Sequence, residues 1–142
     1  MPTPTELPQI IDFGINLADA VDPELLPPGE YPAEVVKSSV VAKKNVPGKF
    51  NFEVTFCIHP DAYPVDFDVE NAPDGVLVTT WRSGDQTKSA RAEMRKLLTA
   101  LNMPLSQTVD ANELIGNWAT VVIKHKPWED KMQLAIAAIK SV

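Results

Sequence analysis

Phe50, Phe52, Val54, Phe56 and Ile58 alternate without a break with Asn51, Glu53, Thr55, Cys57 and His59. Successive side chains of a strand point to opposite faces, so this run makes one apolar face that must find a core and one polar face. No helix can use such a pattern, and a lone strand cannot bury it. The chain is therefore committed to a sheet, and Phe50, Phe52 and Phe56 are expected in its core. At 142 residues it has room for one compact domain and one core.

Other segments fit around this strand. Tyr31, Ala33 and Val35 share a face from Gly29 onward, and the apolar stretch continues through Val40, Val41 and Ala42, which predicts a long first strand. Lys43 to Lys49, with Pro47-Gly48, reads as the turn into the alternating strand. Pro60 to Gly75 reads as a loop with Asp61, Asp66, Asp68, Glu70 and Asp74 and no basic residue, and β-branched Val76 to Trp81 as a third strand. Ala90, Met94, Leu97, Leu98 and Leu101 form one helical stripe that Asn102 and Pro104 end. Asp110 to Leu114 reads as a capped turn closed by Gly116. Trp118 to Lys126 and Lys131 to Lys140 read as two more strands, joined by a turn at Pro127 to Asp130. The expected order is β-β-β-α-β-β: an all-β domain with one helix, OB-fold-like, a five-stranded partly open barrel over residues 29–142.

Residues 1–28 read as an acidic, Pro-rich N-terminal arm. Met1 to Glu30 holds six acids and no Lys or Arg, which equals the whole net charge of −6; the remainder is neutral. The arm's apolar cluster Ile10, Ile11, Phe13, Ile15 and Leu17 is richer than a solvated tail requires, and is suited to cover a sheet edge or a second subunit. A homodimer by arm exchange and a monomer both stay open. A single cysteine, Cys57, excludes an internal disulfide. No apolar run approaches a membrane span and no basic-then-apolar leader opens the chain, so a cytoplasmic protein without a membrane partner is expected.

Three sets of residues carry a further resemblance: Leu25-Leu26-Pro27-Pro28-Gly29-Glu30-Tyr31-Pro32-Ala33-Glu34-Val35, Phe50-Asn51-Phe52-Glu53-Val54-Thr55-Phe56, and Glu113-Leu114-Ile115-Gly116-Asn117. Over roughly Asp12 to Val142 the chain resembles a family of small phage proteins with an OB-like barrel that bind single-stranded DNA in replication and recombination. The resemblance implies that function, in the host cytoplasm, and implies no catalytic residue. The acidic loop and the low net charge depart from it.

In an OB-fold the loops between the first two and last two strands flank the ligand face. Here the first carries Lys43, Lys44 and Lys49 with no acid among them, and the second carries Lys124, Lys126 and Lys131 around Trp128. Ammonium groups for phosphates beside flat aromatics for bases are what sequence-tolerant single-strand binding needs. If Ala119, Val121 and Ile123 face the core, Trp118, Thr120, Val122, Lys124 and Lys126 share the opposite face, and Trp128 joins them provided the strand does not turn first. Trp81 is a third stacking candidate, with Arg82 beside it as a phosphate contact. Lys88, Arg91 and Arg95 read as the solvated side of the helix.

No Walker loop, GxGxxG, GxSxG or HExxH occurs, and Cys57, His59 and His125 lack a third ligand or an orienting group. Asp66 to Glu70 lacks the glycine and bidentate glutamate of a calcium loop. No enzyme, cofactor or metal is expected. The rival is a protein-interaction module, an OB-like barrel whose acidic surface engages a host or phage protein as a DNA mimic. The acidic arm could also recruit replication or recombination partners to a DNA-bound protein.

Overall fold

The computed structural model describes residues 7–142; the first six residues of the arm lie outside the described residues. Five antiparallel strands form one sheet: β1 (Gly29–Ala42), β2 (Phe50–Ile58), β3 (Val76–Ser83), β4 (Trp118–Trp128) and β5 (Lys131–Lys140). Their order is β3-β2-β1-β4-β5, with helix α1 (Lys88–Ala100) between β3 and β4 in sequence. β3 and β5 approach to within 8 Å between Cα atoms but form no ladder, so the sheet curls toward a barrel without closing. This is the OB-like order expected from the sequence.

β1 holds the two halves together. Gly29 to Glu34 pairs with Ile123 to Trp118 of β4, and Glu34 to Ala42 pairs with Cys57 to Phe50 of β2. A bulge falls between Val35 and Lys37: Val35 stands opposite Phe56 and Lys37 opposite Thr55, leaving Val36 unmatched. The core-side phase therefore runs Tyr31, Ala33, Val35 before the bulge and Ser38, Val40, Ala42 after it, Val40 and Ala42 being exposed where the strand outruns the core. The change from odd to even numbers explains why alternation fades midway along this strand in the sequence. Val35 also exchanges backbone hydrogen bonds with the segment entering β4, donating to the Asn117 carbonyl at 2.9 Å and accepting from Gly116 N–H at 2.8 Å.

The core collects Val54, Phe56 and Ile58 of β2, Val35 of β1, Leu97 of α1, Leu101 just after it, Leu114, Val121 and Ile123, all essentially without solvent contact. Full burial of such side chains contributes about 1.5–3 kcal/mol each. The core expectation fails at Phe50, which is half exposed at the end of β2 opposite Ala42, where no element covers the rim; Phe52 is partly buried. The polar face of β2 also departs from expectation. Thr55 and Cys57 are buried on it, flanked across β3 by Thr79 and Leu77, and the Thr55 and Thr79 hydroxyls lie 2.9 Å apart.

Helix α1 buries Ala90, Met94, Leu97 and Leu98, with Leu101 just beyond its end. Thr87 caps its start, accepting from Ala90 N–H at 3.1 Å. At the other end Asn102 takes φ +58°, Met103 N–H donates to the Leu98 carbonyl and Asn102 N–H to that of Thr99. That hydrogen-bond pair is a Schellman stop. The turn between β4 and β5 is shorter than the sequence implied: β4 continues through Trp128, and only Glu129 and Asp130 connect it to β5. Among the described residues no helix is long and apolar enough to cross a membrane.

Candidate nucleic-acid interface

The face of the sheet turned away from the core carries Leu77, Thr79 and Trp81 from β3, Glu53 from β2, Lys37 and Glu34 from β1, and Trp118 from β4. Trp81 stands directly opposite Glu53, and its indole N–H donates to Glu53 Oε2 at 3.1 Å. One edge of the ring is fixed while its faces stay wet, since Trp81 is 55 % exposed. Trp118 stands opposite Glu34 and is 44 % exposed. Its ring centroid lies 5.4 Å from that of His59 at a 35° tilt, and His59 Nε2 is 3.1 Å from Glu34 Oε1. Pro32, Glu34, His59, Asp61, Ala62 and Trp118 line a depression of about 460 Å³. Counting strands and register steps, the Trp81 and Trp118 backbones are separated by roughly 20 Å over the sheet surface.

β4 keeps its phase through the hairpin. Ala119, Val121 and Ile123 are buried, and Trp118, Thr120, Val122, Lys124, Lys126 and Trp128 share the opposite face, Trp128 being 60 % exposed. The extra two residues of β4 thus put Trp128 in line with Lys124 and Lys126. Beyond Ile123, which pairs with Gly29 at the start of β1, this hairpin projects free of β1. The β1–β2 loop leaves the other end of the same strand, so the two lysine clusters flank the length of β1.

Two of the residues selected from the sequence are placed differently from their companions. Lys43 is not a free ammonium: it donates to Ser83 Oγ at 2.8 Å and to Asp85 Oδ2 at 2.9 Å, in a turn that lies 40 residues further along the chain. The Lys43 hydrogen bond, with the charges of Lys43 and Lys49 behind it, holds the Asp85 carboxyl below its ordinary range against opposing desolvation. Lys44 and Lys49 remain exposed. Arg82 follows Trp81 in sequence and so points to the other side of the sheet. It lies half buried against α1 and β5, donating from Nη1 to Thr80 Oγ1 at 2.6 Å and to the Trp81 carbonyl at 3.0 Å. Its Nε is buried without a partner, and burial pushes the guanidinium pKa down, with Glu93 opposing.

The acidic loop is built, not slack. Tyr63 donates to the Ala72 carbonyl at 2.6 Å and packs edge-on to Phe67, whose ring enters the core, while Asp68 caps the short helical turn Val69–Asn71. Among the described residues no three His, Cys, Asp or Glu side chains converge to hold a metal ion. Cys57 is buried, and burial first and then the Glu34 charge push its thiol pKa up, the reverse of what activates a nucleophile. No family model and no curated protein matches this chain.

Proposed function

We propose that the chain binds single-stranded DNA along the outward face of its sheet, without strong sequence preference. One observation carries this reading: three exposed tryptophans, Trp81, Trp118 and Trp128, share the outward side of an OB-like sheet bounded by Lys44 and Lys49 at one end and Lys124, Lys126 and Lys131 at the other. Indole faces stack on any base, and flexible ammonium groups follow a phosphate backbone without reading sequence. The resemblance to phage single-strand binding proteins of replication and recombination favours the same reading. Lys43 then acts by holding the β1–β2 loop against Asp85, and Arg82 by fixing the Trp81 carbonyl and the Thr80 hydroxyl from the opposite face.

The test is fluorescence anisotropy of a labelled mixed-sequence strand of about 30 nucleotides, with duplex of equal length as competitor. Saturable binding that duplex fails to displace, and that Trp118→Ala or Trp81→Ala weakens by about 5-fold to 100-fold, is the expected result. Absence of binding at low salt refutes the reading. In that case the carboxylates around Trp118, Glu34 and Asp61, favour the rival, a surface that receives a basic protein.

A further inference from the structure

The arm preceding β1 is a strand pattern without a sheet. Ile11, Phe13, Ile15 and Leu17 alternate with Asp12, Gly14 and Asn16, yet each of the four apolar side chains is between 61 and 65 % exposed, Gly14 has φ +81°, Leu17 opens a short helical turn, and among the described residues nothing pairs with the segment as a strand. A period of two is costly to leave in water and is of no use to a solvated tail.

The same molecule carries a matching vacancy. β5 is an edge strand that pairs with β4 alone, its far end, Ala137 to Ile139, lying beside Arg82 of β3; among the described residues nothing pairs with the outer side of Lys131 to Ile136. On the core-side phase of that stretch, Met132, Leu134 and Ile136 form an apolar stripe that continues past the reach of β1, with Met132 half exposed. Lys131, with Lys124 and Lys126 on β4 beyond it, lies on the opposite face of the same hairpin, where Asp12 falls if the arm's apolar residues continue the stripe; residues 7–30 contain acids and no Lys or Arg. The other open edge, β3, follows the acidic loop and lacks this charge match. An exposed edge of this kind is a template for strand addition.

We infer that the arm, residues 11–17, adds as a sixth strand to the Lys131–Ile136 edge of a second copy, and that two copies exchange arms. The root of the arm explains why exchange closes on itself. Leu26 is buried, and His125 Nε2 lies 2.8 Å from its carbonyl oxygen, directly across from Leu134 on β5. Arm root and target edge therefore occupy one neighbourhood, so a two-fold axis beside the hairpin lets both arms cross at once, giving an isologous dimer with no open end. The segment from Leu17 to Leu26, whose first residues Leu17–Asp19 form a short helical turn, reaches about 30 Å once that turn unwinds, enough to cross between hairpins. This inference does not rest on the DNA-binding reading.

The test is light scattering behind size-exclusion chromatography on the full chain, on a variant lacking residues 1–17, and on Phe13→Asp. The deletion removes no buried side chain of the described residues, and circular dichroism confirms that each variant keeps its fold. A dimer for the full chain, a monomer for the deletion, and dimerisation weakened about tenfold or more by Phe13→Asp is the expected result. A chain that stays monomeric, or a dimer that survives the deletion, overturns the inference. Location is tested by mixing Ile15→Cys with Leu134→Cys copies and joining them with a short thiol cross-linker. Capture between chains supports exchange; no capture, or a monomeric Ile15→Cys/Leu134→Cys chain linked only within itself, overturns it.

Discussion

The lysines left free by the fold fix how the proposed DNA binding must respond to salt. Lys44, Lys49, Lys124, Lys126 and Lys131 are exposed on the two flanking elements, and Lys43 is withheld by Asp85. If each free ammonium neutralises one phosphate, a single strand gives a log–log slope against salt of about −0.7 per contact, hence about −3.5 in total. Affinity then falls by about 100-fold between 50 and 200 mM monovalent salt. Anisotropy titrations at four or five salt concentrations measure this directly. Lys124→Ala/Lys126→Ala lowers the slope to about −2, while Lys43→Ala leaves it near −3.5. A slope between 0 and −1 in the unaltered protein refutes phosphate binding by these clusters. A loss in Lys43→Ala equal to that for one hairpin lysine refutes the assignment of Lys43 to loop positioning, because it would mean that the Asp85 pair opens to admit DNA.

Three further predictions concern the scaffold. Gly75 has φ +109°, and a Cβ there would sit 2.6 Å from Cys57 Sγ and 3.1 Å from the Ile58 carbonyl oxygen. Gly75→Ala destabilises by about 2–4 kcal/mol in urea unfolding, whereas Gly48→Ala, with φ +78° and open space around it, costs only the backbone strain of about 1 kcal/mol. Asn102→Gly relieves φ +58° at the α1 stop and raises stability by about 0.5–1 kcal/mol, read as a higher melting temperature. The Asp85 carboxyl, lowered chiefly by Lys43, supports the fold above the ordinary carboxylate range, and that support is lost as pH falls through its lowered folded pKa. Carboxyl-resolved NMR titration of Lys43→Ala shows the Asp85 pKa moved up; an unmoved value contradicts the pairing.

What was readable in the sequence was whatever a single segment decides for itself. The alternation of β2 and the stripe of α1 are local periodicities, and the order of elements follows from placing them in line. The bulge was not readable, because Val36 is apolar and only its opposition to β2 shows that it is the extra residue. Nor was the Lys43–Asp85 pair, which depends on how the β3–α1 turn returns to the β1–β2 loop. Arg82 was misjudged by adjacency: next to Trp81 in sequence means across the sheet from it in space. Of the candidate interface, the tryptophans and hairpin lysines could be chosen by residue type and phase, but which lysines stay free depends on contacts between distant segments.

The bulge at Val36 also separates two properties that strands usually link. Deleting Val36 would leave Val35 inward, Lys37 outward and Ser38 inward, so every side chain would keep its face. What would change is curvature, since a bulge bends the strand that carries it and increases its twist. A straighter β1 carries β2–β3 away from β4–β5, and with them the two lysine clusters at its ends. The width of the surface between those clusters thus depends on one extra residue, a length adjustment that leaves the chemistry of the face unaltered.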